Sequence, residues 1–234
     1  PKLNGSIQTK TDWSKYNVRS YPSILVSDKY QQNEESYMEL ICSLTSPYAR
    51  RVRALAYELD IQDQLKIHVV KPRESSDYLW TINSIGKVPT LRLDNGSSIF
   101  DSLIICDYLI ANYSPDWGLE HQADFWEYRT RLSLLNQTSD AGSQARKLLA
   151  QEPPQTKGAD FQLGKVHRCL THLETTWSSL ESELSLASIG LACTFDWLLN
   201  RFPEKEWASL YPRIGRWFDG FKTRESMQKT QIQT

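Results

Sequence analysis

The sequence has few of the features that identify secreted, membrane-bound or metal-binding proteins. It contains four cysteines in 234 residues, and their scattered positions include no C-x-x-C pair and no spacing typical of metal ligands. No apolar run approaches the roughly 20 residues of a membrane span, and no stretch resembles a secretory signal. We therefore expect no metal site, and buried free thiols in the reducing environment of the cytosol. The thiols are those of Cys42, Cys106, Cys169 and Cys193.

An excess of charge of one sign is also missing. Lys and Arg number 27 against 28 Asp and Glu, which gives a net charge of −1, so nothing favours a nucleic-acid or membrane partner. The sequence does contain 40% hydrophobic and 24% charged residues, a composition typical of soluble globular proteins. Its length allows one large domain or two small domains with a real core.

Residues 1–37 differ from the remainder of the chain. They are polar, show no sustained periodicity, and contain one short apolar run, Ile24-Leu25-Val26. This segment could be a disordered extension, an added strand, or sequence upstream of a natural start at Met38. We expect a peripheral extension without a catalytic role.

Strand and helix patterns alternate from Met38 onward. We predict, in order, a strand at Met38–Cys42, a helix at Pro47–Leu59, a strand at Leu65–Val70, a short helix or irregular turn at Ser75–Asn83, strands at Thr90–Leu93 and Ser98–Phe100, and a helix from Asp101. This β-α-β-α-β-β-α order favours a thioredoxin-like domain over residues 38–112. On the first helix, Arg50, Arg51 and Arg53 lie off the apolar stripe, so we expect them on a solvated face.

The second half of the chain lacks strand patterns. The segment Asn112–Gly118 is typical of a linker. After it we predict helices at Ala123–Ala150, Phe161–Leu184, Ser185–Phe202 and Glu204–Phe221. The third of these is apolar nearly all round, as a central helix should be. Residues 119–234 are therefore predicted to form an all-α domain.

The stretch Gly86–Leu109 brings three local features close together. It opens with Val88-Pro89, continues through a D-N-G turn that predicts a hairpin, and reaches a helix start at Asp101-Ser102. If the Val88–Pro89 peptide bond is cis, the Val88 N–H and C=O can pair with an extended peptide. A helix N-terminus at Ser102 can in turn bind a carboxylate. These features would suit a small anionic peptide, and the alternative is a plain hairpin packed on a helix.

Several motifs resemble those of the glutathione S-transferase family. They are S-P-Y-A-R-R-V-R at Ser46–Arg53, G-K-V-P-T-L at Gly86–Leu91 and D-S-L-I-I at Asp101–Ile105, with looser matches in L-S-L-A-S-I at Leu184–Ile189 and Y-P-R-I-G-R-W at Tyr211–Trp217. Each motif alone is weakly specific, but their order and spacing together are strongly so. The resemblance covers Met38–Thr234 and implies a thioredoxin-like domain followed by a helical bundle. Within the family, the T-S-P-Y-A-R opening is similar to serine-type bacterial enzymes and the plant tau class.

The resemblance implies a role for each matching residue. Ser46 is placed where serine-type members carry the catalytic hydroxyl that hydrogen-bonds the glutathione sulfur, with Thr45 as the alternative donor. Ser46 is also suited to be a simple helix N-cap, and the two roles can coexist. Glutathione binding is assigned to Lys87, Val88, Pro89, Asp101 and Ser102, with Pro89 in an architectural role. Lys71 is a weaker candidate, which we interpret as an exposed charge at a strand end.

The implied function is that of a cytosolic, homodimeric glutathione transferase that takes glutathione as co-substrate and an apolar electrophile as second substrate. The alternatives are a non-catalytic binding or regulatory protein of the same fold, or a glutathione-dependent peroxidase, isomerase or dehalogenase. Two features favour the non-catalytic protein. One is the extension at residues 1–37, and the other is Ser188, which replaces the family's Asp three residues after Ser185, so we expect a weaker helix cap. By position alone, an electrophile pocket could be lined by Tyr128, Arg129, Leu132, Leu135 and Gln137.

Overall fold

From Met38 to Tyr113 the chain forms a sheet with helices packed on it. A computed structural model describes residues 38–117, 125–178 and 184–233, so the expectations for residues 1–37 lie outside the described residues. The strands are β1 (Met38–Cys42), β2 (Leu65–Val69), β3 (Thr90–Arg92) and β4 (Ser98–Ile99), and the helices are α1 (Pro47–Glu58), α2 (Ser76–Ile82) and α3 (Ser102–Tyr113). The sheet order is β2-β1-β3-β4, with β2 parallel to β1 and the other pairs antiparallel. The thioredoxin-like prediction is confirmed.

The central strand β1 is covered on both faces. Leu40 belongs to the main hydrophobic core together with Leu55 of α1 and Ile105 of α3. Ile41 points to the opposite face, because successive strand residues alternate, and packs with Leu79 of α2 in a smaller cluster. All five side chains are fully buried. Because both faces of β1 are covered, a ligand could contact this part of the sheet only at the ends of its strands.

The second half of the described chain is helical. Its helices are α4 (Phe125–Leu149), α5 (Thr156–Thr176), α6 (Leu186–Arg201), α7 (Trp207–Leu210), α8 (Pro212–Phe221) and α9 (Glu225–Lys229). Helix α6 is buried along nearly its whole length, which confirms the prediction of a central helix. Among the helices in the described ranges, none is long and apolar enough to cross a membrane. A mixed sheet followed by a helical bundle is the fold that the resemblance implied.

Two predicted helices have the wrong extent. The helix predicted at Phe161–Leu184 begins earlier and ends at Thr176, because Trp177 leaves the helical conformation and is buried at 1% exposure. The helix predicted at Glu204–Phe221 is broken into a 3-10 turn, α7 and α8. Pro212 causes the second break, since proline has no N–H for a helix interior but is favoured in the first turn. It is the first residue of α8.

The prediction that Arg50 and Arg51 are solvated is wrong. Their exposed fractions are 2% and 1%, because α6 covers the side of α1 that we expected to face water. The Arg50 guanidinium pairs with Asp196 of α6 and donates to the Met227 carbonyl. Arg51 donates from Nη1 to the Asn136 side-chain oxygen on α4 at 3.2 Å. These contacts attach α1 to the helical part of the chain.

The expected weak cap of α6 is also wrong. The Ser185 hydroxyl accepts from the Ser188 N–H at 3.2 Å, and the Ser188 hydroxyl accepts from the Ser185 N–H at 2.8 Å. This is a complete reciprocal capping box, in which a serine replaces the usual carboxylate. A hydroxyl oxygen is a sufficient acceptor here because both residues are fully buried and the two groups are held close together.

Candidate functional site

Ser46 occupies the N-cap of α1, directly after the loop that leaves β1. Its backbone is extended, and its Oγ accepts from the Ala49 N–H at 3.3 Å. Pro47 follows at the first helical position, where its missing N–H costs nothing and its fixed φ favours the helix. The cap uses a lone pair of the Ser46 oxygen and leaves the hydroxyl hydrogen available. Ser46 can thus cap the helix and donate to a ligand at the same time.

The neighbouring hydroxyl groups are already engaged. The Thr45 hydroxyl lies 3.0 Å from that of Ser43, and the Tyr48 hydroxyl donates to Asp140 Oδ1 of α4 at 2.5 Å. Burial raises the pKa of Tyr48 well above its usual value, and the hydrogen bond and charge of Asp140 raise it further. By contrast, no acceptor for the Ser46 hydrogen is found in the described ranges. At the start of α1, Ser46 can therefore donate its hydroxyl hydrogen to a bound ligand.

A rigid turn precedes β3 and presents the backbone of Val88. The Val88–Pro89 peptide bond is cis, as the sequence suggested it could be. The Asn83 side chain donates to the Lys87 carbonyl and to the Thr90 hydroxyl, each at 3.0 Å, and this hydroxyl donates to the same carbonyl at 2.9 Å. In the described residues, neither the N–H nor the C=O of Val88 has a hydrogen-bond partner. An extended peptide could pair with both groups.

Gly86 sets the entry into this turn. Its φ is +63°, a conformation that side chains disfavour, and an added Cβ would lie 2.7 Å from Trp80 Nε1. Two constraints thus require glycine at the first position of the G-K-V-P-T-L motif. They are the positive φ and the indole ring of Trp80 packed over the residue. Lys87 beside it is exposed, so its ammonium group can reach a ligand. Lys71 is exposed and lies 3.4 Å from Glu74, in accord with our interpretation of a strand-end charge.

The start of α3 supplies the third part of the site. Asp101 is the N-cap, and its side chain accepts from the Leu103 N–H at 3.0 Å while remaining exposed. Ser102 is 1% exposed, and its hydroxyl has no partner among the described residues. The first N–H groups of a helix carry a partial positive charge. Asp101 can therefore bind a ligand ammonium while Ser102 and the helix N-terminus bind a carboxylate.

The strand register brings these three segments to one end of the sheet. Ile41 pairs with Thr90 in the antiparallel β1–β3 ladder, so continuing the register places Val88 beside the loop that leads to Ser46. Leu91 pairs with Ile99 in the β3–β4 ladder, which in the same way places Pro89 beside Asp101. The six residues proposed from the sequence thus converge, although they are spread along the chain. They are Ser46, Lys87, Val88, Pro89, Asp101 and Ser102.

The cysteines take no part in this site. All four are buried and unpaired, and burial raises the pKa of the Cys42 thiol, which lies four residues before Ser46, to about 11. Burial also raises the pKa of Cys169 to about 11 and that of Cys106 and Cys193 above their usual value. A thiol that stays protonated is a poor nucleophile and a poor metal ligand. No group of three metal-ligating side chains occurs in the described residues.

The electrophile pocket suggested by position is not formed as we expected. Leu132 and Leu135 of α4 are 2% and 1% exposed and belong to the hydrophobic core, so they line no open cleft. Arg129 is bound by both carboxylate oxygens of Asp107 on α3, at 3.1 and 3.0 Å. Asp140 of α4 reaches the start of α1, where Ser143 also interacts with Tyr48, and sequence reasoning missed both residues. The contact of Asp140 with Tyr48 joins residues 92 positions apart in the sequence, and no local sequence pattern predicts such a contact.

Comparisons with known proteins agree with the fold. Residues 40–117 match the model of the glutathione S-transferase N-terminal domain, and residues 137–220 match that of the C-terminal domain. A glutathione transferase family member from Pseudomonas fluorescens Pf-5, solved with bound glutathione, is 30% identical with a TM-score of 0.78, covering 84% of this chain and 100% of its own. A glutathione S-transferase from Methylobacillus flagellatus KT with glutathione bound is 27% identical, with a TM-score of 0.74 and coverage of 84% and 100%.

A curated relative has no established activity. The uncharacterized GST-like protein YibF of Escherichia coli K12 is 26% identical over 200 residues, which are 83% of this chain and 98% of that protein. The similarity therefore extends over nearly the whole length of each of these relatives. On this evidence, the chain belongs to the glutathione S-transferase family.

Proposed function

We propose that this protein is a glutathione transferase. It binds glutathione at the end of the sheet where the Val88 turn, the start of α1 and the start of α3 converge, and it accepts an apolar electrophile beside the thiol. The observation that carries the proposal is the set of unused groups at that point: the Val88 N–H and C=O, and the Ser46 and Ser102 hydroxyls. Solved relatives with glutathione bound support the same ligand for this chain.

Each group matches a part of glutathione. The backbone of Val88 pairs with the cysteinyl unit as one more extended strand. Asp101 binds the γ-glutamyl ammonium group, Ser102 and the α3 N-terminus bind its carboxylate, and Lys87 reaches towards the glycyl carboxylate. This arrangement directs the sulfur to the N-terminus of α1, beside the hydroxyl of Ser46.

The chemistry requires a thiolate near neutral pH. A free thiol titrates near 8.5, and each unit by which its pKa falls corresponds to about 1.4 kcal/mol in favour of the anion. The Ser46 hydroxyl donates to the sulfur, and the positive end of α1 favours negative charge there. The thiolate then attacks the electrophilic carbon: a C–S bond forms, and the leaving group departs with its electron pair.

Titration of the protein with glutathione by calorimetry tests the binding site. We expect saturable binding that Ser102→Ala weakens at least ten-fold, because the buried hydroxyl would no longer meet the carboxylate. Ser209→Ala, which removes an exposed hydroxyl on α7, is the matched control and should bind like the wild type. Absence of binding at millimolar glutathione would refute the proposal.

Among the described residues, no observation favours the non-catalytic alternative. One sequence feature that favoured it was the weak cap of α6, and the complete capping box of Ser185 and Ser188 removes that reason. The other feature, the extension at residues 1–37, lies outside the described residues. The peroxidase, isomerase and dehalogenase alternatives use the same glutathione site, and a screen of second substrates separates them from conjugation.

We extend the proposal to a cytosolic homodimer. The buried, unpaired cysteines support a reducing compartment. Ile104 of α3 and Trp126 of α4 are 50% and 65% exposed, and each lies one turn from the ion pair between Asp107 and Arg129 that joins the two helices. This apolar face is suited to a second copy of the chain. Light scattering should show that the wild type is a dimer and that Ile104→Glu is a monomer. Leu210→Glu, at an equally exposed site on α7, is the control and should remain a dimer. A monomeric wild type would exclude the proposed dimer.

A further inference from the structure

One contact links the start of α1 directly to the helical part of the chain. Tyr48 donates from its hydroxyl to Asp140 Oδ1 of α4 at 2.5 Å. Tyr48 follows Ser46 by two positions, so their Cα atoms lie at most about 7.6 Å apart, two steps of 3.8 Å. Asp140 of α4 is therefore held by a residue only two positions from Ser46, where the glutathione sulfur would be bound, and we call the stretch of α4 around Asp140 the wall of this site.

Asp140 brings an uncompensated negative charge to this wall. The residue is exposed, and no Lys, Arg or His group of the described chain forms an ion pair with it. The hydrogen bond from Tyr48 uses one lone pair of a carboxylate that has about four acceptor sites. The remaining sites face solvent and can meet a ligand.

The charged groups near Asp140 do not cancel this charge. Arg51 lies one turn further along α1, but it is 1% exposed and donates to Asn136; at the Tyr48 phenol its effect is smaller than that of Asp140. Within one turn along α4, Gln137 and Gln144 are exposed and uncharged. The nearest cations that follow on α4, Arg146 and Lys147, are exposed and lie roughly 9 and 10 Å along the axis.

From this geometry we infer that Asp140, held in place by Tyr48, selects the electrophile by charge. The inference rests on the proposed transferase function and specifies its second substrate. An electrophile that carries a carboxylate would be brought close to both the thiolate and Asp140, and their repulsion disfavours it. Uncharged and cationic electrophiles bear no such penalty. Asp140 acts as a specificity-determining residue, and Tyr48 as the residue that positions it.

A pair of electrophiles that differ in charge tests the inference. Chlorodinitrobenzene is uncharged and chlorodinitrobenzoate is an anion, and both react by forming a C–S bond at the ring carbon that releases chloride. The quantity to measure is kcat/KM for the neutral compound divided by that for the anion. Intrinsic reactivity cancels when this ratio is compared between protein variants.

We expect Asp140→Asn to lower the ratio about five-fold. This factor corresponds to two unit charges about 8 Å apart at an effective dielectric constant of about 40, between the values for a protein surface and bulk water. Asparagine keeps an acceptor for Tyr48, so the charge is the main change. In the wild type the ratio should also fall as salt is added, because the interaction is screened over about 8 Å at physiological ionic strength. In Asp140→Asn the fall should be smaller, since only the repulsion by the thiolate is left to screen.

The matched control is Asp160→Asn, which removes an exposed carboxylate from α5 and should leave the ratio unchanged. Tyr48→Phe keeps the charge of Asp140 but frees its side chain, and we expect a ratio between those of the wild type and Asp140→Asn. An unchanged ratio in Asp140→Asn, or equal changes with both electrophiles, would overturn the inference.

A binding measurement separates this inference from the proposed function. If glutathione binds but neither electrophile is conjugated, the transferase proposal fails. The charge preference is then read from calorimetric affinities for dinitrophenyl-glutathione and its carboxylated analogue in the same variants. A ratio of affinities that falls about five-fold in Asp140→Asn supports the inference without turnover, and an unchanged ratio overturns it.

Discussion

Replacing Ser46 by alanine and by glycine should separate the two roles that its hydroxyl can perform. The oxygen accepts from the Ala49 N–H at the N-cap of α1, and the hydrogen is available to a bound thiolate. Loss of the cap costs about 1 kcal/mol for alanine but only a few tenths for glycine, which is tolerated at this position. Both variants lose the donor to the sulfur. They should therefore differ in stability and agree in chemistry.

The expected change in chemistry follows from the strength of a hydrogen bond to a charged group. Such a bond contributes about 1.5–3 kcal/mol, which at about 1.4 kcal/mol per unit corresponds to a rise of about one to two units in the pKa of bound glutathione. Below that pKa the thiolate population, and with it the conjugation rate, should fall about 10- to 100-fold. Above the raised pKa the thiolate forms without help, so the rates of the variants should approach that of the wild type.

The assay is the pH dependence of kcat/KM for the electrophile at saturating glutathione, combined with urea unfolding of the free proteins. Ser209→Ala serves as control for both measurements. A pH profile that is unchanged in both variants while glutathione still binds would refute the role of Ser46 as donor. Equal losses of stability in the alanine and glycine variants would refute the separation of the two roles.

Two further outcomes follow from the structure. Burial raises the pKa of Glu58, but hydrogen bonds from Arg224 and Ser226 and the charge of Arg224 outweigh this effect and hold the pKa below 4.5. Ionised Glu58 therefore stabilises the folded state. This contribution to the free energy of unfolding is present above pH 4.5 and is lost as the pH falls through the lowered pKa. Glu58→Gln should therefore lower the free energy of unfolding by about 1–2 kcal/mol at neutral pH. Below pH 4.5 the variant should lose less stability on acidification than the wild type does. A pH profile of urea unfolding identical to that of the wild type would contradict this prediction. The four thiols should be unreactive towards an aromatic disulfide reagent in the native protein and all react in denaturant, and rapid labelling of any of them in the native state would contradict their burial.

Local signals in the sequence predicted the parts of the candidate site that depend on neighbouring residues. Ser46-Pro47 is sufficient to begin α1, and Asp101-Ser102 is sufficient to begin α3. The alternation of strands and helices predicted the sheet, and the strand register then brings the segments together. The signal for the break at Pro212 was also present, because a proline inside a predicted helix marks a boundary.

Contacts between distant segments could not be predicted in this way. An apolar stripe indicates which side of α1 packs on the sheet, but it carries no information about a second layer that covers the other side. Arg50 and Arg51 are buried because α6 and α4 supply Asp196 and Asn136 at the right places. The contact of Tyr48 with Asp140 depends on the same packing. The sequence pattern thus misjudged the environment of these charged and polar residues, as it did that of Leu132 and Leu135.

The burial of Arg50 makes the position of α1, and hence of Ser46, depend on the helical part of the chain. Arg50 is 2% exposed, and its carboxylate partner Asp196 has 32% of its side chain exposed. Removing the partner leaves a buried cation without a counter-charge, which in fully buried pairs costs about 3–5 kcal/mol. Because Asp196 is partly solvated, we expect a smaller loss of about 2–3 kcal/mol for Asp196→Ala.

The exposed pair of Lys222 and Asp219, with side chains 50% and 70% exposed, provides the matched comparison. Asp219→Ala removes a carboxylate at a similar ion pair but should cost less than about 0.5 kcal/mol, since water replaces the lost partner. Urea unfolding of the two variants measures the difference directly. Equal losses would mean that water reaches Arg50 in solution, and the attachment of α1 to α6 would then depend on apolar packing alone. If instead Asp196→Ala is the less stable and also shows weaker conjugation with normal folding, the buried ion pair determines where Ser46 is held.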